Sequence, residues 1–80
     1  MARLVQLQIN QSGAWRSGLD FDATDLPNEF FDHLDQVLRL AYGDKTTARV
    51  VMARTGANGR PVGTHEALMR WSRQEGWVTA

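Results

Sequence analysis

Gly63-Thr64-His65-Glu66-Ala67-Leu68-Met69-Arg70-Trp71-Ser72-Arg73-Gln74-Glu75-Gly76 is the stretch on which the reading of the fold turns. Thr64 stands where a helix is capped, since its hydroxyl accepts a backbone N–H of the first turn. Ala67, Leu68 and Trp71 follow as an apolar stripe at helical spacing, and Glu66, Arg70 and Arg73 face away from it. Gly76 closes the run as a C-terminal glycine. The spacing predicts a helix opened by Gly63-Thr64 and ended by Gly76. Trp77-Val78 then either closes as a short final strand or packs back on the core.

Upstream, Gly56-Ala57-Asn58-Gly59-Arg60-Pro61 has the composition of a loop. Thr46 to Ala53 is extended, with Ala48, Val50 and Met52 on one face and Arg49, Val51 and Ala53 on the other. Before it, the sequence predicts another helix from Asp25 to about Tyr42. Thr24 or Asp25 caps it, Pro27 is tolerated in its first turn, and Gly43 ends it. Its apolar arc is Phe30, Phe31, Leu34, Val37, Leu38 and Ala41, of which Phe30, Leu34, Val37 and Ala41 are expected to meet the sheet. Asp25, Glu29, Asp32, Asp35 and Gln36 lie opposite. At the start, Val5, Leu7 and Ile9 alternate with Gln6 and Gln8. Trp15 to Asp22 alternates again after an Asn10-Gln11-Ser12-Gly13 turn. That is a β-hairpin, with Gly18 marking a bulge or a close backbone approach. The order is ββαβα, plus a short last strand if Trp77-Val78 pairs. The expected fold is α+β: a small antiparallel sheet with two helices packed on one face, as one domain over residues 1–80.

Eighty residues hold one modest core. The chain is expected to be a monomer or a weak homodimer. It has no cysteine, so no disulfide or thiolate chemistry. No apolar run approaches the roughly 20 residues that span a bilayer. Met1-Ala2-Arg3-Leu4 leads straight into alternation without the apolar region of a signal peptide. An intracellular soluble protein is expected. Of the tryptophans, Trp15 and Trp71 sit in apolar stripes and are expected in the core. Trp77 is expected there too, as the one nearest the surface.

The charges balance, nine basic against nine acidic, but they are sorted. Asp20, Asp22, Asp25, Glu29, Asp32 and Asp35 form a run with no basic residue between Arg16 and Arg39. With Gln36 they make a candidate partner-binding surface. Beyond it stand Arg49, Arg54, Arg60, Arg70 and Arg73, the alternative basic face. Such faces orient partners even when net charge does not. Asp20-Phe21-Asp22-Ala23-Thr24-Asp25 opens like a calcium loop but has Asp25 where glycine is needed and Phe31 where glutamate is needed. Gly59-Arg60-Pro61 matches the middle of a minor-groove hook without its flanking basic residues. The glycine-rich loop lacks the Gly-Lys-Ser/Thr of a phosphate loop. His33 and His65, without cysteine or a spaced partner, make no zinc site, and no serine has a nucleophile's setting. The sequence therefore predicts no catalytic residue, no metal and no cofactor.

In size, in its lack of chemistry and in its sorted charge, the whole chain resembles the small phage-encoded anti-CRISPR proteins, and among them the type I inhibitors. The resemblance is one of character and no specific motif carries it. Many of those inhibitors are acidic, and this chain departs from them in being neutral. The resemblance implies a non-enzymatic inhibitor. It would bind a multisubunit, Cascade-like CRISPR effector in the cytoplasm of a bacterial host and block its access to target DNA. On that footing Asp25, Glu29, Asp32 and Asp35 face a basic protein surface. The alternatives are a nucleic-acid-binding or regulatory module using the arginine face, or a phage assembly subunit using Trp77 and an exposed strand edge.

Overall fold

The computed structural model describes residues 3–11, 13–24, 26–27 and 29–80; Ser12 and Asp25, named above, lie outside them. Alternation at the start gives the expected hairpin: β1 (Leu4–Asn10) pairs antiparallel with β2 (Trp15–Asp22). Leu7 faces Leu19 while Gln8 faces Ser17, so Gly18 is the extra residue of a bulge. A Cβ on Gly18 would lie 3.3 Å from Ile9 Cδ1, so glycine fits there without displacing the core.

The helix α1 (Glu29–Ala41) is shorter than expected at its start. Pro27 stands before it, and its carbonyl accepts the Phe30 N–H at 3.0 Å. The contact arc is also rotated. Leu38 is 1% exposed, with Phe31 and Leu34 packed on the same core, but Val37 is 53% exposed and Ala41 is exposed. A polar anchor sets this rotation: the Trp71 indole N–H donates to Asp35 Oδ1 at 2.7 Å, which brings Asp35 to the sheet side.

β3 (Thr47–Thr55) pairs antiparallel with β1 and keeps its expected faces, with Ala48 and Val50 buried beneath α1. The larger correction concerns Gly63 to Gly76. Residues Pro61–Ser72 form a long strand, β4, antiparallel to β3, and Gly76–Thr79 forms β5, antiparallel to β4. Among the described residues the chain has five strands and one helix, in the order ββαβββ, and no second helix. The sheet order is β2-β1-β3-β4-β5, antiparallel throughout. Two physical features explain the difference. Gly59 (φ 79°) and Gly76 (φ 70°) are hairpin glycines, not helix ends. And β4 is bulged: Val50 faces Met69 while Val51 faces Ala67, so Leu68 is an extra residue that breaks strict alternation. No helix follows Thr64: its hydroxyl accepts the Glu66 N–H at 3.2 Å, but within a strand, and donates to the Met52 carbonyl at 2.7 Å. Trp77-Val78 does close as a strand, with Trp77 opposite Trp71.

One sheet face therefore carries the core: Val5, Leu7, Ile9, Ala48, Val50 and Trp71 around Leu38. Rings seal it in sequence, with Phe21–Phe30, Phe30–Phe31 and Phe31–Trp77 centroids 5.0, 5.2 and 5.3 Å apart. The other face has no helix over it.

Candidate functional site

Period-2 alternation puts Gln6, Gln8, Arg49 and Arg70 on that open face, since Val5, Leu7, Val50 and Trp71 point the other way. Polar side chains crowded on a central strand must satisfy one another. Here they do so in series. Gln6 Nε2 donates to Asp20 Oδ1 at 2.9 Å, Gln8 Nε2 to Gln6 Oε1 at 3.0 Å, and Arg49 Nε to Gln8 Oε1 at 2.8 Å. The direction is fixed by the ends, because a carboxylate only accepts and a guanidinium only donates. At the far end the Arg49 guanidinium carbon lies 4.1 Å from the centroid of the Trp15 ring, a close cation–π contact.

Gly63 lies against this relay. A Cβ there would come within 2.5 Å of Gln6 Oε1 and 2.6 Å of Gln8 Nε2. Gly63→Ala is expected to part the two amides, lower stability by about 1–2 kcal/mol, and release Arg49 from Trp15. The Arg49 Nε–H resonance reads this directly; an unchanged resonance would count against the relay as the element that holds Arg49.

Trp15 departs from its expected place. It is 40% exposed and lies at the mouth of a groove of about 570 Å³, lined also by Arg49, Arg70, His65, Ala67 and Val78. Arg49 and Arg70 are direct cross-strand partners. Like charges placed so are mutually destabilising. The Arg70 side chain has no hydrogen-bond or ion-pair partner among the described residues, and neither Nη of Arg49 has one. The groove thus concentrates positive charge beside a half-exposed ring.

The other arginines divide. Arg54 and Arg60 are exposed at the β3–β4 hairpin. Arg73 turns to α1: one Nη donates to the carbonyls of Arg39 (3.1 Å) and Tyr42 (3.0 Å), and its Nε pairs with Asp44 at 3.6 Å. It satisfies the helix C-terminus, where a cation is favoured.

The acidic residues divide as well. Asp20 belongs to the relay on the open face. Asp22 accepts from the Thr24 hydroxyl and from the backbone N–H groups of Thr24 and Arg3, which holds its carboxyl below the usual range. Asp35 faces the sheet. Glu29, Asp32 and Gln36 share the outer side of α1, with Val37 and Leu40, the latter 88% exposed. Between α1 and β2 runs an apolar cleft of about 380 Å³ lined by Leu19, Phe30, Leu34 and Val37. Among the described residues no cluster of three His, Cys, Asp or Glu is placed to hold a metal ion, and no helix is long and apolar enough to cross a membrane. Comparison with protein-family models, with curated proteins and with solved structures finds no match.

Proposed function

We propose that the chain is a non-catalytic binding domain that works through the open face of its sheet, holding an anionic partner on Arg49 and Arg70 beside Trp15. One observation carries this reading: the Arg49 guanidinium is fixed over Trp15 by Gln8, at 2.8 Å and 4.1 Å. An arginine already held in place loses less freedom on binding than a mobile one. The reading needs no catalytic group, metal or cofactor. Its test is a pair of charge reversals. Arg49→Glu with Arg70→Glu is expected to weaken binding to an acidic probe such as heparin at least about tenfold; Arg49 also ends the relay, so the pair costs stability as well, and Arg70→Glu alone, at an exposed side chain, gives a loss of binding within about 0.5 kcal/mol of wild-type stability. Equal binding by the double variant and the wild type would remove the open face as the working surface.

A second reading has its own support. The outer side of α1 sets Glu29, Asp32 and Gln36 beside exposed Val37 and Leu40. Acids around an exposed leucine suit a basic protein surface with an apolar centre. This is the surface that an inhibitor of a multisubunit CRISPR effector, acting in a bacterial cytoplasm, would use. Under this reading Glu29→Lys with Asp32→Lys restores target-DNA binding by an inhibited effector, and the arginine reversal does not.

A further inference from the structure

We infer that the anionic partner of the Trp15–Arg49–Arg70 groove is single-stranded nucleic acid. This rests on the proposed role of the open sheet face and names the ligand of that site. Three features of the groove favour a strand with unstacked bases over other anions.

The first is the ring. A bare anion, whether a carboxylate, a sulfate or a free phosphate, uses the guanidinium that Trp15 holds and makes no use of the exposed part of the ring. A nucleobase uses both, since bases stack on tryptophan and on guanidinium planes alike. In a duplex the bases are stacked on one another and only their edges are offered, so a ring on an open sheet face takes a base from a single strand.

The second is the donor geometry. Arg49 Nε is already committed to Gln8 Oε1, so the side of the fork that includes Nε is closed. Both Nη atoms remain for phosphate or a base edge. Arg70 stands opposite on β4 as a second phosphate contact.

The third is size and charge. At about 570 Å³ the groove is within the ordinary range of small-ligand sites, enough for one or two nucleotides. Glu75 lines it on the β5 side, and Asp20 closes the relay on the β2 side. Those carboxylates repel a phosphate chain that runs on, so the footprint is short. The formal net charge of zero supplies no long-range attraction to add to it. Arg49 and Arg70 alone neutralise phosphate, so log K should fall against log salt with a slope of only about −1.4, two contacts on a single strand.

The experiment uses the full chain and four probes: an oligodeoxyuridylate and an oligouridylate of about twelve nucleotides, a duplex of the same length, and heparin. Affinity is read by fluorescence anisotropy across a salt series. Single strands are expected to bind more tightly than the duplex, with the shallow slope above. Trp15→Ala is expected to weaken them about 5- to 150-fold, the range found when a stacking platform is removed. Trp15→Phe keeps most of the affinity and serves as the folded control, and Arg49→Lys does not rescue Arg49→Gln, because lysine lacks the planar fork. Either strand supports the inference, and the tighter of the two identifies the sugar. Heparin binding as tightly as either strand, with Trp15→Ala without effect, overturns it while the open face stands as a simple anion site. No binding to any of the four probes overturns both.

Discussion

Leu38→Ala is expected to lower the melting midpoint by roughly 10–40 °C. Leu38 is 1% exposed and packs among Val5, Leu7, Ile9, Ala48, Val50 and Trp71. Truncating such a leucine removes its transfer free energy and leaves a cavity, about 2–5 kcal/mol together. The whole domain has only about 5–15 kcal/mol to lose. Because α1 is the one helix among the described residues, no second helix covers the gap. Val37→Ala, one residue away and 53% exposed, is the matched control and should stay within about 0.5 kcal/mol of wild type. Phe30→Ala should fall between them, since Phe30 is half-buried against Phe21 and Phe31. Thermal unfolding followed by circular dichroism checks all three. Similar losses for Leu38→Ala and Val37→Ala would mean that the helix is turned differently on the sheet.

β1 and β3 are legible because neither strand carries an extra residue that shifts its faces. Val5, Leu7 and Ile9 opposite Gln6 and Gln8 admit one reading, and so do Ala48, Val50 and Met52 opposite Arg49, Val51 and Ala53. β4 is not legible for a reason visible in its register. Glu66, Ala67, Leu68, Met69 and Arg70 are all good helix formers. The bulge at Leu68 interrupts the period-2 signal where it would have opposed that propensity. What decides the segment is tertiary: β3 would otherwise present an open edge, and β4 pairs eight of its nine residues between Thr47 and Thr55. Local propensity yields to that pairing.

The site was half-visible for a related reason. Trp15 shares parity with Leu19 and Phe21, which reads as core only if β2 is regular. The bulge at Gly18 flips the strand, so Trp15 and Ser17 leave the Leu19 face for the open one. The glycine that signals the bulge therefore also carried the information about Trp15. Gln6 and Gln8 looked like the solvent side of a half-buried strand. Their joining of Asp20 to Arg49 depends on strand order β2-β1-β3, which alternation alone does not fix. The acidic run misleads in the opposite way. Residues adjacent in sequence part across two faces of the sheet and two sides of a helix, and Asp35 is drawn inward by Trp71.

Asp35→Ala is accordingly expected to cost about 1.5–3 kcal/mol at neutral pH, the contribution of hydrogen bonds to a charged group. The Asp35 carboxylate accepts the Trp71 Nε1–H at 2.7 Å and the Arg39 Nε–H at 2.9 Å. Trp71 is 2% exposed, so its indole N–H loses its protein partner once the carboxylate is gone. The Trp71 bond first, then the Arg39 bond, hold the Asp35 carboxyl below its ordinary value of 3.8, against the opposing effect of burial. A carboxyl lowered on folding takes up its proton first in the unfolded chain as pH falls. Its stabilisation is thus complete above the unfolded value and drains away as pH drops through the folded one. Wild type should lose this contribution below about pH 4, whereas Asp35→Asn, which keeps an acceptor but has no charge, should not. Asp22 is lowered too, but it is present in both proteins and cancels in the difference. Trp71→Phe removes the donor together with part of the buried indole, and because the bond to Asp35 is lost in either single variant, the double variant should cost less than the sum of the two. Denaturant unfolding of wild type and Asp35→Asn from pH 2 to 7 decides the matter: parallel curves throughout would show that the buried bond does not depend on charge. The same bond bears on any functional study of the acidic run. A charge reversal that includes Asp35 unseats α1 from Trp71, so a loss of binding from it reports on the fold, and among the acids of α1 Glu29 and Asp32 are the ones to reverse as surface residues.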